Sequence, residues 1–169
     1  MTDLVFPALR ALGAAWAEGV VSVAGEHLAS HAVLRRLSGA LDAAGRGDPS
    51  QPSVVVGLPP GSRHELGALA FAVAVRRGGL PVAYLGADLP VDDWARATAG
   101  ASAAVIGVVT RRDRRNAQAV VRRLRDSRPG LLVAVGGAGS SGVTEAGVVS
   151  LPPSLEASVA AIRDALRGR

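Results

Sequence analysis

The sequence predicts an α/β fold: a flavodoxin/Rossmann-like five-stranded parallel sheet preceded by a short helical cap. Two observations carry this. From residue 54 onward, short β-branched runs alternate strictly with helical segments, whereas before residue 45 the apolar residues recur at helical spacing. A third observation separates the two parts. The stretch Gly45–Ser53, GRGDPSQPS, concentrates glycine, proline, serine and aspartate as a linker does. Residues 1–47 are therefore expected to form a helical cap segment, a partial bundle, and residues 52–169 the sheet domain.

Within the first part, Leu9, Leu12 and Trp16, then Val20, Val23, His27, Leu34, Leu37 and Leu41, follow a helical period with a break near Gly19, which predicts two helices. The strands expected beyond the linker are Val54–Leu58, Val82–Leu85, Ala103–Val109, Leu131–Val135 and Val148–Ser150. The helices expected between and after them are Glu65–Arg77, Asp92–Ala99, Asn116–Arg125 and Ser154–Leu166. Strict alternation requires right-handed crossovers and a sheet covered on both faces. Ligands of such sheets bind at the carboxyl ends of the strands. The informative loops are thus Pro59–His64, Gly86–Pro90, Thr110–Arg115, Gly136–Gly142 and Leu151–Pro153.

Composition narrows the function classes. A chain of 169 residues, 49% hydrophobic, can bury one good core. Cysteine is absent, which excludes a disulfide framework or a cysteine metal site. No apolar run approaches the ~20 residues of a membrane span. The start MTDLVFPALRALG lacks the pattern of a secretory leader, so the expected location is cytoplasmic. The net charge of +5 comes from arginine alone, since lysine is absent. The densest run, Arg111-Arg112-Asp113-Arg114-Arg115 with Arg122, Arg123 and Arg125, is interrupted by aspartate and lacks aromatic neighbours, so it reads as a solvated loop and helix face rather than a nucleic-acid site. No nucleophile and base converge on one predicted loop, which argues against an enzyme acting alone.

The first loop carries the metal chemistry. In LPPGSRHELGALAFAVAV, His64 opens a helix and Gly67 lies one turn on, where a missing side chain permits close approach to the backbone. A neutral imidazole suits a transition metal, although a lone histidine near a helix start is more often a surface or capping residue. The surrounding residues Ser62-Arg63-His64-Glu65-Leu66-Gly67, with the glycine pair Gly136-Gly137 after the fourth strand, resemble the cobalamin-binding domains of corrinoid proteins. Their pattern is Asp/Glu-x-His-x-x-Gly after strand one, Ser-x-Leu after strand three and Gly-Gly after strand four. The resemblance implies a bound cobalamin, with His64 as metal ligand beneath cobalt in place of the cofactor's own base. Ser62, Arg63, Glu65 and Gly67 would surround that ligand, and Thr110, Gly136 and Gly137 would line the cavity of the displaced tail. Two positions depart from the pattern: Ser62 stands for the acid that partners the histidine, and Val108 or Val109 for the serine, leaving Thr110 to supply a polar contact. The segment GGLPVAYLGADLPVDDW is similar to the family's second strand and the loop that runs under the corrin.

In the helical part, Trp16, nine residues, then Glu26-His27 resembles the Trp-x9-Glu-His motif of MerR-type cobalamin-dependent photoreceptor regulators. The resemblance implies a sensor or regulatory module, transcription regulation through a regulatory or DNA-binding partner, and adenosylcobalamin as cofactor ahead of methylcobalamin. Trp16, Glu26 and His27 would surround the upper ligand. Ala17 stands where the light-sensing members have a histidine, so His27 or His31 would have to substitute. The alternative reading is a corrinoid methyl carrier for a methyltransferase. Only half of the family's four-helix cap is recognisable, so the face of Leu9, Leu12, Leu34, Leu37 and Leu41 is expected to pair copies into a homodimer. Two rival readings are weaker. Gly137-Ala-Gly139-Ser-Ser-Gly142 matches the dinucleotide fingerprint, but with too little chain after it, and His27 with His31 could hold zinc only if further ligands were supplied.

Overall fold

Three consecutive valines, Val54 to Val56, form the centre of the sheet, and all three are buried. In this computed structural model, which describes residue 11 and residues 22–168, they belong to strand β1 (Val54–Gly57), flanked by β2 (Val82–Tyr84) and β3 (Ala103–Gly107), with β4 (Leu132–Gly136) and β5 (Val149–Ser150) beyond. Every pairing is parallel and the order is β2-β1-β3-β4-β5. This is the flavodoxin-like order, and its topological switch point lies between β1 and β3. The expected five parallel strands are all present.

Alternation along β1 feeds two cores. Val54 and Val56 face one side, where helix α1 (Val23–Ala43), α2 (Leu66–Arg77) and α5 (Leu155–Arg167) contribute Leu37, Leu69, Phe71, Val75, Val159 and Ile162. Val55 faces the other, with Ala104 and Ile106 of β3, Trp94 of α3 (Val91–Ala97), and Val120, Val121 and Leu124 of α4 (Asp113–Ser127). A strand buried on both faces reads as an unbroken apolar run, as this one does.

Local chemistry sets the helix starts. Ser22 accepts from the Gly25 amide at 3.2 Å to open α1, and Ser154 accepts from the Ala157 amide at 3.4 Å to open α5. Helix α4 begins three residues before the expected Asn116. Asp113 is buried, and its Oδ2 accepts from the amides of Thr110 at 2.7 Å and Val109 at 3.2 Å, so the polar stretch expected as a loop is partly helical.

Helix α1 runs in the same direction as α2: Arg76 near the end of α2 donates to the carbonyl of Gly45, just past the end of α1. With 21 residues against 12, α1 therefore extends about 13 Å beyond the start of α2, on the carboxyl side of the sheet. Its lower half packs down through Val33, Leu34, Leu37 and Leu41, whereas Val23 and Leu28 in its upper half stand 58% and 71% exposed. On the face expected to pair two copies, Leu37 is buried and Leu34 and Leu41 pack, partly buried, against the chain's own α/β core. Leu9, Leu12 and the helix expected around them lie outside the described residues. Among the described residues, no helix is long and apolar enough to cross a membrane.

Trp94 is fully buried, and its ring lies 3.2 Å from where a Cβ on Gly57 would sit. Trp94→Ala is expected to cost about 3–5 kcal/mol, read as a lowered urea midpoint with the m-value preserved.

Candidate functional site

At the switch point, the connection between β1 and α2 is braced from two sides. From the loop after β2, Leu58 N–H donates to Gly86 O at 3.0 Å, Leu89 N–H to Leu58 O at 3.1 Å and Asp88 N–H to Ser62 O at 3.0 Å. The side chain of Asp88 adds an acceptor, its Oδ1 taking the Gly61 amide at 2.6 Å. From α4, the Asn116 side-chain amide donates to Pro60 O at 2.8 Å. A loop fixed at Leu58, Pro60, Gly61 and Ser62 presents the next two residues, Arg63 and His64, to solvent. The imidazole of His64 makes no hydrogen bond or ion pair with the described residues, so either ring nitrogen is free to act as a ligand. Neither Asp88 nor Asn116 stands out in the sequence. GAD is an ordinary turn signal, and Asn116 is hidden behind an arginine run.

The neighbours of His64 divide by burial. Ser62 is buried, only 1% exposed, and its hydroxyl has no hydrogen-bond partner among the described residues. Glu65 is half-buried and accepts from the Tyr84 hydroxyl at 2.9 Å. Burial first, and then this carboxylate, push the Tyr84 phenol well above its ordinary value, so it stays protonated and serves as a fixed donor. Gly67 lies in the first turn of α2.

The loops after β3 and β4 lie against each other. Val108 N–H donates to Gly136 O at 2.8 Å and Gly139 N–H to Val108 O at 2.9 Å. Gly137 has φ +107°, and a Cβ there would sit 2.5 Å from the Val108 carbonyl oxygen; at Gly139 it would sit 2.8 Å from the Thr110 oxygen. The glycines are thus required by contact between the two loops themselves. Gly136 abuts Leu151 at 3.3 Å by the same measure. Thr110 is half-buried, and its Oγ1 accepts from the Asp113 amide at 3.3 Å, leaving the hydroxyl hydrogen for another partner. Arg114 spans both loops by donating from Nε to Gly139 O at 2.8 Å. The dinucleotide reading fails here, because Gly139 leads into a short 3-10 turn (Ser140–Gly142) and not into a crossover helix.

The overhanging half of α1 continues this edge. Glu26 and Ser30 are half-buried and extend upward the stripe of Leu34, Leu37 and Leu41, and the Ser30 hydroxyl donates to Glu26 Oε1 at 2.6 Å. His27 is adjacent but 66% exposed, its ring 6.4 Å from that of His31. Glu26, not His27, therefore shares the inward face. Among the described residues no third ligand gathers with the two histidines, so they form no metal cluster. Trp16 lies outside the described residues. Three arginines of the dense run have partners among the described residues: besides Arg114, Arg122 pairs with Glu145 at 3.1 Å and Arg123 with Asp92 at 3.0 Å. Further along, Arg128 donates to the carbonyls of Thr98 and Ala101.

Residues 52–148 match the family described as the B12 binding domain. The chain belongs to that family. This cobalamin-binding chain is 34% identical over 139 residues, 80% of its length, to the HTH-type transcriptional repressor CarH of Myxococcus xanthus, of which the match covers 46%. It is also 36% identical over 86 residues, 51% of its length, to the repressor CarA of the same organism, covering 28% of that protein. The chain thus spans less than half the length of these relatives. Among solved structures, the monomethylamine corrinoid protein of Methanosarcina barkeri superposes with a TM-score of 0.75 at 14% identity, over 95% of this chain and 78% of that one, a likeness of fold.

The residues present fit the cofactor. A solvent-facing imidazole on a braced loop, beside a buried hydroxyl, both without a partner among the described residues, has the donor chemistry that would suit the cofactor's cobalt. Because an unpartnered buried hydroxyl is a liability without cofactor, Ser62→Ala is expected to raise the stability of the apoprotein, by about 1 kcal/mol in chemical denaturation. A loss of stability would reveal a partner for Oγ.

Proposed function

We propose that this chain is a cobalamin-responsive regulatory module, a binding domain and not an enzyme, that holds adenosylcobalamin base-off with His64 as the lower axial ligand. The observation that carries this is the exposed imidazole of His64, unpartnered among the described residues, on a loop braced from both sides at the switch point. When bound, the cofactor supplies a cobalt centre whose upper ligand can be exchanged or lost. The protein's part is to hold it from below and shape the space above. In this reading residues 52–169 form the binding domain and residues 1–47 the cap. The placement of α1 supports the cap, since its overhanging half carries Glu26 on the inward face, where a carboxylate can accept from ribose hydroxyls. Thr110, Gly136 and Gly137 border the tail, and Ser62, Arg63, Glu65 and Gly67 surround the ligand loop. The repressor relatives support regulation, with a DNA-binding element or partner reading the bound state. Assembly into a homodimer through the face of Leu9, Leu12, Leu34, Leu37 and Leu41, of which Leu34 and Leu41 are only partly buried, belongs to the same proposal.

The purified protein incubated in the dark with adenosylcobalamin should give the spectrum of a histidine-ligated, base-off cofactor. His64→Ala should abolish that spectrum and weaken binding at least roughly ten-fold. An unchanged spectrum in the variant removes His64 from the ligand role.

The second reading, a corrinoid methyl carrier, draws on the corrinoid-protein fold likeness and differs in the upper face. A sensor covers it with a bulky ligand and an indole, whereas a carrier leaves it open to partner enzymes. Trp16→Ala is expected to lose a preference for adenosylcobalamin over methylcobalamin, measured by competitive titration. Equal affinities already in the unmodified protein favour the carrier. Illumination of the holoprotein tests light response in the same samples, with Ala17 predicting that any photoproduct relies on His27 or His31.

A further inference from the structure

Asp88 is the only non-glycine residue with a positive φ among the described residues, at 55°. That conformation is tolerated by aspartate but still disfavoured, and an outlier of this kind needs a compensating contact. The contact is present on both its backbone and its side chain. In the left-handed turn, its amide donates to Ser62 O at 3.0 Å while its Oδ1 accepts from the Gly61 amide at 2.6 Å, so one residue holds two consecutive residues of the β1 loop. Gly61 itself has φ +79°, and it sits between this clamp and the Asn116 contact to Pro60. His64 follows two residues after the clamped Ser62.

We propose that Asp88 is a positioning residue for cobalamin binding, whose carboxyl group fixes the Pro59–Ser62 turn and thereby the direction in which His64 is presented. The proposal rests on His64 being the axial ligand, and it makes the loop after β2 a second determinant of the same site. Helix packing alone cannot supply this constraint, because the loop leaves the sheet at Leu58 and rejoins regular structure only at Leu66. Between those points the side-chain hydrogen bonds to Gly61 and Pro60 tie its path to the neighbouring elements.

Three substitutions separate the carboxyl group from the backbone conformation. Asp88→Asn keeps an Oδ1 acceptor and tolerates the left-handed region. Asp88→Gly keeps the conformation and removes the acceptor, and Asp88→Ala loses both. In apoprotein, amide hydrogen exchange at Gly61 should accelerate at least roughly ten-fold in the Gly and Ala variants and stay near the unmodified rate in Asn. With adenosylcobalamin, the Gly and Ala variants should bind roughly ten-fold more weakly and lose part of the histidine-ligated spectrum, while Asn restores both. Unchanged Gly61 exchange in Asp88→Gly overturns the clamp. Accelerated exchange with an unchanged spectrum and affinity overturns the positioning role. His64→Ala run in parallel tells these apart from failure of the ligand reading, since only that failure leaves the spectrum of His64→Ala unaltered.

Discussion

The carboxyl edge of this domain depends on β1 lying between β2 and β3. Because the chain leaves β1 for α2 on one face and leaves β3 for α4 on the other, the two connections diverge and open a gap between adjacent strands. The β1 loop, which starts from that gap, cannot rest on a helix directly beneath it. It is instead tied sideways, to the β2 loop through Leu58, Gly61 and Ser62 and to α4 through Pro60. The exposure of His64 is a consequence of this arrangement, since the bracing engages the residues before it and leaves the side chains of Arg63 and His64 outside.

The architecture is legible because each strand announces itself. Valine runs such as Val54–Val56 suit a doubly buried strand, and serines at residues 22 and 154 cap helices where the periodicity begins. Helix α4 reads short in the sequence because Asp113 looks like one more surface charge in an arginine run, whereas its carboxylate is buried and holds the turn at its own helix start. The face of Leu34, Leu37 and Leu41 looks spare for a similar reason. Periodicity reports that a helix has an apolar stripe, and only the packing shows that the core of the same chain already covers part of it.

His64, Gly67 and the glycine pair are picked out by the family resemblance, whose motif positions can be compared one residue at a time. Hidden from such a reading are the residues whose partners lie far away in the chain. Asp88 and Asn116 act on residues 27 and 56 positions away, and their identities carry no periodic signal. Likewise, Glu26 and His27 are neighbours in the chain, yet only Glu26 continues the buried stripe. The glycines after β4, expected to make room for a ligand, first make room for the β3 loop. The all-arginine cationic set shows the same pattern. The planar guanidinium groups of Arg76, Arg114 and Arg128 reach backbone carbonyls of Gly45, Val82, Thr98, Ala101 and Gly139, so these three cations tie loops together.

Helix α1 joins two regions with different mechanics. Its lower half is held by Leu37 and its neighbours, while Glu26 stands eleven residues, about 16 Å, further along the same rigid rod. Geometry turns such a rod into a lever with its fulcrum at the core. A tilt of only about ten degrees around Leu37 carries the region of Glu26 sideways by about 3 Å, enough to exchange one set of contacts for another. In an uninterrupted helix of this length, any tilt about Leu37 would be felt most at the Glu26 end and least among the packed layers below.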